Sequence, residues 1–145
     1  MSVYLRIMKN EVATPSVGVK RFFRKIIINF STSVWIPSTK RWYFLRMAGV
    51  QIEGPCFLGS HVSIDTLRPD LIKIGAGSVI TQCTVILTHF IKDDCMYYGK
   101  VNIGRRVFVG INTIIANSVT IGDGALIGAG SIVTKDIPSA EVWAG

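Results

Sequence analysis

Histidine is almost missing from this chain. His61 and His89 are the whole supply in 145 residues. A catalytic zinc held by imidazoles takes three of them at one site. Two, one of them inside an ordinary repeat, do not supply a metal centre. Cysteine is scarce too. Cys56, Cys83 and Cys95 are odd in number and unclustered, which excludes a disulfide framework and reads as packed thiols in a reducing compartment. No apolar run reaches the ~18 residues of a membrane span. The longest apolar patch, Ile26 to Pro37, is interrupted by Asn29, Ser31, Thr32 and Ser33. A secretory leader needs its apolar run nearer the start and a small-residue cleavage site, and neither is legible. Acidic residues are scarce at one end only. Residues 1–48 hold nine Lys and Arg against Glu11 alone, while the remainder holds seven basic and eight acidic side chains. The formal charge of +7 therefore belongs to the N-terminal segment. That segment carries no nucleic-acid-binding motif, so nucleic acid is not expected as a partner.

What the chain has in quantity is aliphatic residues at a fixed spacing. Ile103-Gly104, Val109-Gly110, Ile115-Ala116, Ile121-Gly122, Ile127-Gly128 and Val133-Thr134 recur every six residues without a slip. Four positions after each of the first five aliphatics stands a small or short side chain: Val107, Thr113, Val119, Ala125, Ser131. Weaker copies run through Ile74, Ile80, Ile86 and through Ile52, Leu58, Ile64. Six fits neither the 3.6 of a helix nor the 2 of a lone strand. It fits a short flat strand ended by a turn, and a Gly after the aliphatic suits a turn of unusual backbone conformation. Three such units close a triangle, so one coil takes about eighteen residues and the aliphatics form internal ladders. Those ladders account for an apolar content of 49% without invoking a membrane.

Two places break the phase. Ile64 to Ile74 is too long, with Arg68-Pro69-Asp70 between, and a Pro there predicts a small loop. Ile86 to Ile103 is also out of step, and residues 90–102 read as a loop or a distorted coil. Irregular segments of a regular scaffold are where function concentrates. His61 lies inside a repeat and reads as a solvent-facing scaffold residue. His89 stands where the pattern stops, a position suited to a general base at a cleft edge. One imidazole nitrogen must face the acceptor and the other should be held, and Asp65 is a candidate for that hold or for contact with the substrate hydroxyl.

The stretches Ile86-Leu87-Thr88-His89, Gly99 to Gly104, Val107 to Gly110 and Ile121 to Pro138 resemble the sugar and xenobiotic O-acetyltransferases of the hexapeptide-repeat acyltransferase superfamily. The likeness covers roughly residues 49–145. It implies a mainly β fold, a left-handed parallel β-helix, with the left hand coming from the resemblance alone. It implies acetyl-CoA as acyl donor, no metal, a homotrimer, and His89 as the base that takes the acceptor's proton. By the same resemblance the backbone N–H of Ile111, after Gly110, would face the thioester oxygen from one coil above the His. Ala129 would bond the pantetheine arm, and Thr134 and Lys135 would line the coenzyme, Lys135 near its phosphates. The family continues past Val142-Trp143-Ala144-Gly145, where this chain stops, so a truncated or less active protein is open. Rival readings are N-acetylation of an amino sugar and a catalytically silent scaffold subunit.

The chain divides into a basic, partly helical cap at 1–48 and a β-helix at 49–145. Lys20 to Ile27 predicts an amphipathic helix whose Phe22, Phe23, Ile26 and Ile27 pack over the first coil. Its charges then point outward and suit peripheral contact with an anionic membrane or with a lipid-linked sugar acceptor. The expected location is the cytoplasm, or the inner face of its membrane, in cell-envelope polysaccharide synthesis.

Overall fold

A computed structural model describes residues 5–8, 15–33, 35–93 and 95–145. Strand β1 (Leu5–Met8) and two helices, α1 (Pro15–Ser31) and α2 (Ser38–Met47), come first. A first coil follows as β2 (Gln51–Ile52), β3 (Phe57–Leu58) and β4 (Ser63–Ile64). The second is β5 (Ile72–Ile74), β6 (Val79–Ile80) and β7 (Val85–Ile86). Then a hairpin stands out, β8 (His89–Lys92) and β9 (Cys95–Tyr98). The third coil is β10 (Val101–Ile103), β11 (Phe108–Val109) and β12 (Ile114–Ile115). The fourth is β13 (Thr120–Ile121), β14 (Leu126–Ile127) and β15 (Ile132–Val133), with β16 (Val142–Trp143) beginning a fifth.

Each coil lays one strand on each of three parallel sheets, ordered β13-β10-β5-β2, β16-β14-β11-β6-β3 and β15-β12-β7-β4. The register stacks like on like: Ile52, Ile74, Ile103, Ile121 in the first sheet. Leu58, Ile80, Val109, Ile127 stack in the second, and Ile64, Ile86, Ile115, Val133 in the third. None of the twelve is more than 6% exposed. The short side chains form a second set of buried positions, and their hydroxyls close the corners. Thr113 donates to the Gly110 carbonyl (2.7 Å) and Ser131 to that of Gly128 (2.7 Å). These bonds satisfy carbonyls that no strand pairing reaches.

Three expectations need correction. The glycine after each aliphatic does not supply an unusual backbone angle. Positive φ falls two residues later, at His61 (57°), Cys83 (58°), Arg106 (52°), Asn112 (56°) and Ser118 (62°), and at Gly77, Gly124 and Gly130. The earlier glycine is there because the next coil leaves no room: a Cβ on Gly110 would lie 2.4 Å from the Ala129 nitrogen. The last coil is shorter than eighteen residues, for Ile137 already bridges Ile121 and Pro138 follows. The thiols also differ from one another. Cys56 and Cys95 are buried, burial pushing the Cys56 pKa up to about 11, while Cys83 is exposed at a corner.

The helices seal the first coil through residues other than those expected. Ile28 and Leu45 join the core cluster, and Ile27 packs partly against it. Phe22, Phe23 and Ile26 are 63, 59 and 48% exposed. Arg41 is no surface charge: it is buried and donates to the carbonyls of Ile36, Leu58 and Ser33 at 2.9, 2.9 and 3.1 Å. The Leu58 bond stops an open strand group at the coil's base. Residues 1–4 and 9–14, with Lys9 and Glu11 of the basic segment, lie outside the described residues.

Candidate active site

Both breaks in the repeat open at the same corner of the triangle, where the third sheet hands over to the first. The break between β4 and β5 is a single 3₁₀ turn, Pro69–Leu71. The break between β7 and β10 is the antiparallel hairpin, to whose outer strand β9 strand β1 adds as a third. The expected loop at 90–102 is therefore largely strand.

His89 opens the hairpin, directly after buried Thr88. Its Nδ1 lies 2.5 Å from Asp65 Oδ2. Asp65 ends the third strand of the coil below and is 8% exposed. The same carboxylate accepts the Thr88 hydroxyl (2.5 Å) and N–H (3.1 Å) on Oδ2 and the Leu67 N–H (2.9 Å) on Oδ1. Burial alone would raise the Asp65 pKa. The hydrogen bonds from Thr88, His89 and Leu67, helped by the charge on His89, outweigh it and hold the carboxyl below its usual range. Whenever the imidazole is neutral, an ionised Asp at Nδ1 selects the tautomer with its proton on that nitrogen and leaves Nε2 as a proton acceptor. Both Asp65 oxygens are occupied within the chain. Of the two roles expected for this residue, the hold on the imidazole matches the geometry, and a direct grip on substrate does not.

The wall beside His89 was not foreseen. The Tyr98 ring centroid lies 6.0 Å from that of His89, and Tyr98 is 3% exposed. The Arg68 guanidinium stands 5.7 Å from the Tyr98 ring centre and grips Asp70 with two nitrogens, at 3.0 and 2.7 Å. Burial chiefly, then the Asp65 charge, raises the Tyr98 phenol, against the pull of Arg68 and Arg21. The two irregular segments thus build one site. The only sequence signal was that each interrupts the period before the same sheet.

Ile111 and Ala129 sit elsewhere. They follow β11 and β14, at the corner where the second sheet hands over to the third. One coil above His89 at its own corner the chain runs through Asn117 and Ser118, and a Cβ on Gly99 would strike Ser118. Within a protomer, then, Ile111 is separated from His89 by a side of the triangle, about 15 Å for the run 112–116 at the rise of a strand. The expected position one coil above the His is corrected accordingly. At the Ile111 corner the carbonyl of Ile111 accepts from Gly130 (2.7 Å), while the N–H groups of Ile111 and Ala129 donate to no described residue. At another corner the equivalent N–H, of Arg105, is filled by Asp123 at 2.7 Å. Two open donors one coil apart suit an extended amide-bearing arm. Thr134 and Lys135 line a cavity of about 230 Å³ with Trp143 and Gly145 at the C-terminal end of the stack.

Residues 100–135 match the family model for the bacterial transferase hexapeptide (six repeats). "Putative acetyltransferase YvoF" of Bacillus subtilis (strain 168) is 32% identical over 127 residues, covering 88% of this chain and 72% of that protein. The chain belongs to the hexapeptide-repeat acetyltransferases. The galactoside O-acetyltransferase of Escherichia coli (strain K12) is 52% identical over 54 residues, 37% of this chain and 27% of that one. A solved galactoside acetyltransferase in complex with coenzyme A superposes with a TM-score of 0.66 at 23% identity, covering 97% of this chain and 82% of that one. That likeness fixes the fold, a left-handed parallel β-helix. As a member of this family the chain is an acyltransferase.

Proposed function

We propose that this hexapeptide-repeat acetyltransferase moves the acetyl group of acetyl-CoA onto a hydroxyl of a sugar, with His89 as general base. The observation that carries the proposal is the Asp65–His89 pair at 2.5 Å, at the corner where both breaks in the scaffold meet. An alcohol attacks a thioester poorly until its proton is leaving, and Nε2 of a neutral imidazole is suited to take it. The hydroxyl oxygen bonds to the acyl carbon, the carbon–sulfur bond breaks, and the departing thiolate recovers the proton from the imidazolium. Asp65 keeps the imidazolium paired throughout. The Ile111 N–H is the donor for the oxygen that gains charge, and Ala129, Thr134 and Lys135 receive the rest of the coenzyme. A sugar acceptor is supported by the galactoside acetyltransferases matched by sequence and by fold.

Because His89 and Ile111 occupy different corners of one protomer, the reaction requires a second copy. A homotrimer brings the His89 corner of one subunit against the Ile111 corner of the next. The outward residues support this: Phe57, Phe108, Leu126 and Val142 on the second sheet and Ile132 on the third are 41 to 74% exposed, an apolar surface for packing. The first sheet turns out Lys73 and Gln51, and Glu53 pairs with Lys73 and Arg105 at 2.9 and 2.8 Å, a face suited to water. A lipid-linked or envelope polysaccharide precursor as acceptor, at the cytoplasmic face of a membrane, fits the basic N-terminal helices.

The test is release of free thiol from acetyl-CoA in the presence of a panel of sugars, with product mass to locate the acetyl group. Acceptor-dependent release that vanishes in His89→Ala supports the reading. Coenzyme binding without transfer to any acceptor would leave a silent scaffold, and acetyl on nitrogen would assign the amino-sugar reaction.

A further inference from the structure

Helix α1 is amphipathic, but its apolar side faces away from the protein. Val19, Phe22, Phe23, Ile26 and Phe30 follow one another at helical spacing along one stripe, and each is 48 to 63% exposed. The opposite face is fixed. Ile28 and Ser31 are buried at 2 and 0%, and Arg24 and Arg21 are half-buried on the same side. The Arg24 guanidinium reaches to within 3.9 Å of where a Cβ on Gly49 would stand and bears on Asp70, while Arg21 bears on Tyr98. The helix cannot roll to hide its stripe without bringing Ile28 and Ser31 out into solvent.

What covers the stripe follows from charge. The α1 sequence contains Lys20, Arg21, Arg24 and Lys25, α2 contains Lys40 and Arg46 besides the buried Arg41, and neither contains an acid. Stripe against stripe, two copies of this chain would bring cations together with no counter-charge from either helix. An anionic lipid surface supplies that counter-charge and an apolar layer for the aromatics together. Trp35, in the turn between the helices, is 91% exposed, an aromatic of the kind that settles at a lipid–water boundary. No described helix is long and apolar enough to cross a membrane, so the contact is along the surface. We propose that α1 docks the protein on anionic membranes through Val19, Phe22, Phe23, Ile26 and Phe30, lying flat on the surface.

The experiment is co-sedimentation of the full chain with vesicles of phosphatidylcholine alone or with about 30% phosphatidylglycerol. Expected are binding to the anionic vesicles, a loss of about tenfold or more in high salt as the charges are screened, and little binding to neutral vesicles. Phe22→Ser/Phe23→Ser/Ile26→Ser should lose binding about tenfold or more while its mass in solution, thermal midpoint and acetyl transfer to a water-soluble acceptor stay as in wild type. No pelleting of wild type at low salt overturns the proposal, as does equal binding by the triple variant. If the triple variant changes the number of subunits, a second copy covers the stripe and the lipid proposal is wrong. Acetyl transfer is read separately, so failure of membrane binding leaves the assignment of His89 standing or falling by itself.

Discussion

At the scale of the residue, Asp65 gives one oxygen to the Thr88 hydroxyl and N–H and to the His89 ring, and the other to the Leu67 N–H. Such a crowded, buried acceptor holds an imidazole in one orientation and one tautomer. His89→Ala should lower kcat about 10²–10⁴-fold, the usual contribution of a general base. The KM for acetyl-CoA should hardly move, since the N–H groups proposed to hold the coenzyme sit at another corner; a variant keeping a third of wild-type turnover would remove His89 from the reaction. Asp65→Asn keeps the shape but offers Nδ1 an amide that can present either an oxygen or an N–H. The wrong tautomer should cost kcat on the order of 10² or more, again with coenzyme KM little changed. A pH effect goes with it. The folded Asp65 pKa lies below its unfolded value near 3.9. Its stabilising contribution is therefore present in full above that value and is lost as pH falls through the folded one. Thermal midpoints measured from pH 5 down to 3 should fall less steeply in Asp65→Asn than in wild type.

At the scale of the element, the turn is the unit whose chemistry was half legible. The ladders could be read because each coil repeats the one below, so a pattern local in sequence carries the long-range contact. The corner glycines could be located but not explained, because the crowding around Gly110 comes from Ala129, a coil away. The hairpin was hidden for the same reason. Its pairing is antiparallel and partly with β1, near the start of the chain, and a period of six says nothing about either. The helix α1 was recognisable as amphipathic, but which side meets the body depends on Ile28 joining the core cluster and Arg24 reaching Gly49 across the chain. A pair of substitutions separates the two kinds of glycine. Gly110→Ala places a methyl 2.4 Å from backbone that cannot yield alone. It should cost about 3 kcal/mol in denaturant unfolding, the upper part of the overpacking range, and weaken coenzyme binding by displacing Ala129. Gly130→Ala meets nothing within 4 Å but sits at φ +72°, so about 1 kcal/mol of left-handed backbone strain is expected with binding retained. Equal losses for both would mean that corner angle, not coil stacking, governs the repeat.

At the scale of the whole molecule, the triangle sets the two halves of the proposed site on different corners, so the proposed reaction needs two chains. His89 and Asp65 stand at one corner, and the N–H groups of Ile111 and Ala129, which donate to no described residue, at the next, with β7 and β12 between them. A rigid stack of coils cannot fold the corners together. The outward face of the second sheet offers the means of assembly: Phe57, Val79, Phe108, Leu126 and Val142 stand in register on adjacent strands. In the middle of this row Phe108 is 41% exposed. A carboxylate there would have to be desolvated against a neighbour, which costs several kcal/mol when unpaired. Phe108→Asp should therefore give a folded monomer by light scattering, with the far-UV spectrum of the parent. Its acetyl transfer should drop to the level of His89→Ala although His89, Asp65 and Ile111 are all intact. Mixing supplies the second arm. His89→Ala, without its base, and Gly110→Ala, with weakened coenzyme binding, should together exceed the sum of their separate activities when co-expressed, because some interfaces then pair a sound His89 with a sound Ile111 corner. A fully active Phe108→Asp monomer, or mixed assemblies with no gain over that sum, would place both halves of the site in one chain.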